Sequence, residues 1–137
     1  MKKSGSTLIE LLIYMVVVLL FFSIILPNSR KWMERGISIS EVNRVKNSIR
    51  YARFLSFLKD GKVEVRIFPK DVKIVSNREI IKESSLNFVR IVGNRYLAFS
   101  KGVPYISGTL RFFLGTSFVA EIRVTPVVGK INLAWKW

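Results

Sequence analysis

The sequence predicts an α+β fold in which one long N-terminal α-helix, part of it transmembrane, packs on an antiparallel β-sheet body. Three observations predict this fold class. An almost unbroken apolar run extends from Leu8 to Leu26. A stripe of apolar residues at helical spacing then follows between Val42 and Leu55. Directly after Gly61 the pattern changes to alternating apolar and polar residues, which is typical of strands.

The apolar run is long enough to cross a membrane. Its 19 residues include only Glu10, Tyr14 and Ser23 as polar side chains, and at about 1.5 Å per residue it spans about 28 Å, close to a bilayer core. The sequence after Leu26 lacks an A-x-A-like cleavage site, which disfavours an ordinary secretory signal peptide. A plain signal anchor explains the length but leaves Glu10 unexplained, because a carboxylate in hydrocarbon costs about 2.5–3.5 kcal/mol.

The charges on either side of the apolar run bear on its orientation in the membrane. Lys2 and Lys3 precede the run, and Arg30 and Lys31 follow it, so local charge counting alone is a weak signal. Because a small soluble body follows the run, we expect a single pass through the inner (cytoplasmic) membrane. The C-terminal domain is then expected outside the cytoplasm.

The amino-acid composition limits the classes of function that we expect for the chain. The chain has 23 Lys and Arg against 9 Asp and Glu, and residues 27–137 alone hold 21 against 8, a net charge of +13. Polyanions such as DNA, anionic lipid or acidic polymers are natural partners for such a body, although a high isoelectric point can also serve solubility alone. The absence of Cys and His removes the commonest metal ligands and general base. With no catalytic constellation or phosphate loop in the sequence, we expect no enzyme activity, no metal and no cofactor.

A second helical signal follows the apolar run. Pro27 lacks an amide donor and predicts a bend at the outer end of the apolar segment. An amphipathic helix is predicted over about 40–59, because a set of apolar residues recurs at steps of three and four: Val42, Val45, Ile49, Ala52 and Leu55. The helix is expected to end at Asp60-Gly61, and its apolar stripe to face a core.

The body beyond Gly61 is predicted as a β-sheet over about 62–135. Val63, Val65 and Ile67 alternate with polar neighbours, and Gly-containing turns punctuate the rest. The predicted strands are 63–68, 72–75, 80–81, 86–92, 96–99, 109–114, 118–124 and 130–135.

The N-terminus resembles the cleavage and methylation motif of type IV pilins and type II secretion pseudopilins, through Gly5-Ser6-Thr7-Leu8-Ile9-Glu10-Leu11-Leu12. This resemblance implies a basic leader over 1–5, cut by a prepilin peptidase between Gly5 and Ser6. It implies a hydrophobic assembly helix over 6–27 and a pilin-like domain over 28–137. Glu10 would then meet the amino terminus of a neighbouring subunit and set filament register. The family usually begins its mature chain with Phe, so the match supports cleavage more firmly than methylation of Ser6.

The body resembles the C-terminal half of H-type (FimT-like) minor pseudopilins, through Phe99-Ser100-x-Gly102, Gly108-Thr109-Leu110-x-Phe112, Ile122-x-Val124 and Gly129-Lys130-Ile131. The resemblance implies a structural subunit of a type II secretion, type IV pilus or competence filament. Its partners would be the prepilin peptidase, other pilins or pseudopilins, and inner-membrane lipid.

Two alternatives stay open. In the first, the chain is a DNA-binding minor pilin of a DNA-uptake machine, in which cations contact phosphates and tryptophans stack on bases. Its candidate residues are Arg123, Lys130, Lys136, Trp135 and Trp137. The competing interpretation turns Ile131, Leu133 and Trp135 into the core. In the second alternative, the chain is a non-pilin signal-anchored protein, which would show no processing at Gly5.

Overall fold

The computed structural model describes the backbone of residues 4–136 and the side chains of residues 7–26 and 29–136. A single helix, α1, occupies Ser4–Leu58. The chain divides into two compact units, Met1–Gly36 and Ile37–Trp137. The first unit consists of the N-terminal part of α1, and the second holds the rest of α1 and all of the strands.

The helix predicted over about 40–59 is not a separate element. Residues 28–40 are helical, so the predicted segment is the last part of α1, which ends at Leu58. Gly36 does not interrupt the helix, consistent with the modest cost of about 1 kcal/mol for one Gly in a helix interior. The backbone of Pro27 also lies within α1, while its side chain is outside the described residues, and the bend there stays a prediction.

The predicted apolar stripe forms one wall of the core. Val42, Val45, Ile49 and Ala52 are fully buried, and Leu55 is 8% exposed. The alternation in the first strand is also confirmed, because Val63, Val65 and Ile67 are buried in the same cluster. This cluster takes side chains from α1 and from both sheets, so burial of apolar surface holds the second unit together.

Nine strands lie in the described part of the chain. They are β1 Lys62–Ile67, β2 Asp71–Ser76, β3 Glu79–Ser85, β4 Val89–Gly93, β5 Tyr96–Ser100, β6 Val103–Ile106, β7 Gly108–Leu114, β8 Ser117–Val124 and β9 Ile131–Trp135. They form a five-stranded sheet in the order β3-β2-β1-β5-β6 and a four-stranded sheet in the order β4-β7-β8-β9. Every strand pair is antiparallel.

The structure corrects the sequence prediction in three respects. The sequence predicted one antiparallel sheet, but the strands form two. β4 does not pair with the five-stranded sheet and is instead an edge strand of the four-stranded sheet. The strand β6 was not predicted, since Pro104 interrupts its short apolar pattern. Pro104 is accommodated because β6 is an edge strand, where a missing amide donor leaves no ladder bond unmade. The strand predicted from Leu86 begins at Val89, after a loop that α1 binds directly.

The outer face of the five-stranded sheet carries a polar cluster around Tyr96. A hydrogen bond with Tyr105, partial burial and the nearby Glu64 carboxylate raise the pKa of Tyr96 well above its usual value. Glu64 also pairs with Arg66 at 3.2 Å, and the Lys62 ammonium lies 5.8 Å from the centre of the Tyr105 ring. The cluster therefore favours the neutral phenol of Tyr96.

We expect this cluster to make stability fall at alkaline pH. The folded state raises the pKa of Tyr96, so its contribution is complete below the unfolded value of about 10 and is lost as pH rises through the folded value. The free energy of unfolding of the wild type should therefore fall more steeply from about pH 9 to about pH 11 than that of Tyr96→Phe. Equal slopes for the two proteins would contradict the assignment, because lysine titration is common to both.

Candidate functional sites

The predicted assembly residues lie in the first unit. The backbone of Gly5 and Ser6 belongs to α1, and their side chains lie outside the described residues. Glu10 shares one face of the helix with Thr7 and Tyr14, which are three and four residues away. No hydrogen bond or ion pair reaches the Glu10 carboxylate from any described side chain. The carboxylate is thus available to a partner outside this chain.

The rest of this segment suits lipid or another apolar helix. The apolar side chains from Leu8 to Leu26 are all at least 42% exposed. The hydroxyls of Ser23 and Ser29 each donate to a carbonyl three residues earlier, at 2.8 Å, so they need no external partner. Within the described residues, α1 is the helix long and apolar enough to cross a membrane.

The described residues among those proposed for DNA binding have different surroundings. The Arg123 guanidinium lies 2.9 Å from the Glu121 carboxylate. Trp135 is partly buried and packs against the core, as the competing interpretation predicted for β9. Lys136 is exposed at the end of β9, and Trp137 lies outside the described residues. Lys130 is exposed as well, and it faces a different set of side chains.

That set forms a groove that sequence reasoning did not find. We call it the basic–aromatic groove, and its volume is about 720 Å³. One wall comes from α1 and the other from the β5–β6 turn and the start of β9. The residues that define it are Arg50, Phe54, Phe57, Lys101, Val103 and Lys130. Its signal in the sequence was the spacing of Arg50, Phe54 and Phe57, which places them on one face of a helix, off the buried stripe.

A buried carboxylate on α1 holds the loop between β3 and β4. Glu41 is only 4% exposed and accepts hydrogen bonds from three successive backbone N–H groups. The donors are Asn87 at 2.9 Å, Phe88 at 3.2 Å and Val89 at 2.9 Å. Such a set of amide donors compensates a buried carboxylate for its lost hydration. Glu41 therefore hydrogen-bonds to the first residue of β4 and links that strand to α1.

Near the end of α1, the guanidinium of Arg53 likewise hydrogen-bonds to loops of the body. Arg53 donates from Nε to the Gly102 carbonyl at 2.9 Å, from Nη1 to the Gly129 carbonyl at 2.9 Å, and from Nη2 to the Val128 carbonyl at 3.2 Å. Ser56 adds a second link, because its hydroxyl accepts the Gly102 N–H at 3.1 Å. The helix thereby positions two loops that are distant in sequence, and both of them border the basic–aromatic groove.

The described acidic residues do not form a cluster of metal ligands. Within the described part of the chain, no three Asp or Glu side chains gather into a group that could hold one. The carboxylates of Glu41 and Glu121 are instead engaged by backbone amides and by arginines, respectively.

Comparison with known proteins bears on the architecture. No protein-family model and no curated protein sequence matches the chain. Two crystal forms of the type IV minor pilin FimU from Pseudomonas aeruginosa (strain PAO1) are similar. One has 11% identity and a TM-score of 0.59, covering 69% of this chain and 90% of FimU. The other has 12% identity and a TM-score of 0.63, covering 75% of this chain and 92% of FimU. The chain has the fold of type IV minor pilins.

The pilin fold confirms the α+β class that the sequence predicts, with a long N-terminal helix and antiparallel sheets. At 11–12% identity the likeness is one of fold. The closer resemblance to H-type (FimT-like) pseudopilins stays a prediction from the sequence.

Proposed function

We propose that the chain is a minor pilin or pseudopilin, a structural subunit of a filament in a type II secretion, type IV pilus or competence machine. The observation that carries the proposal is the pilin fold of the described chain. The apolar start of α1 supports it, because that segment is long and apolar enough to serve as a single-pass inner-membrane anchor. The resemblance of residues 5–12 to the prepilin motif adds a leader that a peptidase removes.

In this proposal Glu10 is the residue that sets filament register. Its carboxylate is exposed on the mainly apolar segment from Leu8 to Leu26, and no described side chain pairs with it. In a low-dielectric filament interior, an unpaired carboxylate is strongly disfavoured, and a neighbouring α-amino group is a suitable partner. Cleavage after Gly5 would create that amino group at Ser6. The proposed partners are therefore the prepilin peptidase and other pilin-type subunits.

The first test is the intact mass of the membrane-extracted protein, from cells with and without prepilin peptidase. We expect a chain beginning at Ser6 only when the peptidase is present, and the same spectrum would reveal any methyl group. A chain that keeps residues 1–5 in both strains would instead support a plain signal anchor.

A second test concerns assembly. We expect Glu10→Ala to be processed normally yet to be missing from the filament fraction sheared from cells, because the register-setting charge pair is gone. Glu79→Ala is the matched control, since Glu79 is exposed on β3 in the body. Wild-type amounts of Glu10→Ala in the filament would contradict the role assigned to Glu10.

A further inference from the structure

We propose that the basic–aromatic groove binds single-stranded nucleic acid. The groove differs from the C-terminal set of residues that the DNA-binding alternative named, and Lys130 is the residue they share. The proposal does not depend on filament assembly, since every groove residue lies in the second unit.

The groove presents aromatic rings that do not serve the core. Phe54 is 56% exposed and Phe57 is 69% exposed, although both lie on a helix whose other face is fully buried. Phe57 lies beside the β5–β6 turn, since a Cβ added at Gly102 would come within 3.5 Å of its Cβ and Cδ2 atoms. Solvent-exposed rings are the platforms on which unpaired bases stack.

The groove also has the charge that a phosphate backbone requires. Arg50, Lys101 and Lys130 are exposed, and none of the nine described residues that line the groove is acidic. Lys101 pairs with Asp60 at 3.4 Å, but both side chains are more than 70% exposed. A pair so exposed is weak and does not prevent Lys101 from binding a phosphate. Arg53 has its guanidinium on three carbonyl oxygens, and it supports the walls of the groove.

Rings and cations in the same groove favour a single strand over the other polyanions. In a duplex the base faces are stacked on one another, so Phe54 and Phe57 would gain nothing. An unpaired strand offers both phosphates to the cations and base faces to the rings. An anionic membrane or an acidic peptide would use the same cations, but neither has a flat π-face to cover the phenylalanines.

The test is fluorescence anisotropy of a labelled oligothymidylate of about 15 nucleotides, a length suited to one such groove. The full chain would be held in nanodiscs of zwitterionic lipid, with the corresponding duplex measured in parallel. We expect the single strand to bind more tightly than the duplex. We also expect Phe57→Ala to weaken single-strand binding by about fivefold or more, which corresponds to the loss of one stacked base.

Two control variants separate this groove from general basicity. Phe88→Ala removes an aromatic side chain that is 48% exposed elsewhere, and it should leave affinity unchanged. Arg50→Ala should reduce the slope of log affinity against log salt by about 0.7, the value for one single-strand phosphate contact. Arg90→Ala removes an exposed arginine on β4 and should leave that slope unchanged.

Five results would overturn the proposal. The first four are no binding at low salt, equal affinity for duplex and single strand with no effect of Phe57→Ala, equal losses from groove and control variants, and displacement of the oligonucleotide by poly-glutamate at equal charge concentration. The fourth would assign the groove to acidic peptides. Loss of oligonucleotide binding in nanodiscs with phosphatidylglycerol, together with tight binding to those lipids, would assign it to a membrane surface.

Discussion

Glu41→Ala should lower the free energy of unfolding by about 3 kcal/mol or more, the largest loss that we expect from any single polar substitution in the body. The change removes the acceptor for three backbone N–H groups, of Asn87, Phe88 and Val89. A hydrogen bond to a charged acceptor contributes about 1.5–3 kcal/mol. The Val89 donor is buried and accounts for most of the loss, while the part-buried donors of Asn87 and Phe88 add less. The measurement is chemical unfolding of the full chain in detergent, followed by near-ultraviolet circular dichroism.

Glu41→Gln serves as a graded comparison. It keeps the shape and one acceptor oxygen, but its amide group places donors against the loop donors, so we expect about half of the Ala effect. Glu79→Ala removes an exposed carboxylate and should change stability by no more than about 0.5 kcal/mol. Amide exchange at the three loop residues should accelerate in Glu41→Ala. Unchanged exchange there would show that the loop does not depend on the carboxylate.

Arg53→Ala is the second substitution with a large expected effect, a loss of about 2 kcal/mol or more in the free energy of unfolding. Three donors of one planar guanidinium reach carbonyls in two separate loops, at Gly102, Val128 and Gly129. Hydrogen bonds from a charged donor contribute about 1.5–3 kcal/mol when well sheltered, and partial exposure reduces the total here.

Arg53→Lys and Arg44→Ala complete this test. Lysine keeps the charge but lacks the planar fork, so it should recover only a minor part of the loss. Arg44 is an exposed arginine on the same helix, and its removal should be close to neutral. Exchange of the Gly129 amide, which donates to Thr125 at 3.1 Å, should accelerate with Arg53→Ala. If only global unfolding changed, Arg53 would not specifically hold that loop.

Local patterns in the sequence predicted the parts of the fold that depend on local periodicity. The stripe from Val42 to Leu55 is buried, and so is the inward set of β1. The division into two sheets was not predictable in this way, because it depends on which strands pair across long stretches of chain. The strand β6 was hidden by Pro104, whose tolerance follows from an edge position that only the topology reveals.

The candidate sites were also hard to predict where they depend on contacts between distant parts of the chain. Trp135 looks like a free stacking residue in a basic tail, yet the alternation of β9 turns it toward the core. Glu41 was not among the residues singled out from the sequence, although it precedes Val45 by four residues and so lies on the buried face. The basic–aromatic groove joins residues 50–57, 101–103 and 130–131, and no local pattern links segments so far apart.

The positions of Glu41 and Arg53 have a mechanical consequence. They lie twelve residues apart on α1, about 18 Å along its axis. Both hydrogen-bond to loops that connect the strands, and the apolar stripe of the same helix is buried with the inward side chains of both sheets. A pull along this part of the helix therefore loads both sets of hydrogen bonds and the buried stripe together, in shear. Contacts loaded in parallel must yield at once, whereas contacts peeled one after another yield at low force, so we expect the body to resist extraction along its helix far better than peeling away from it.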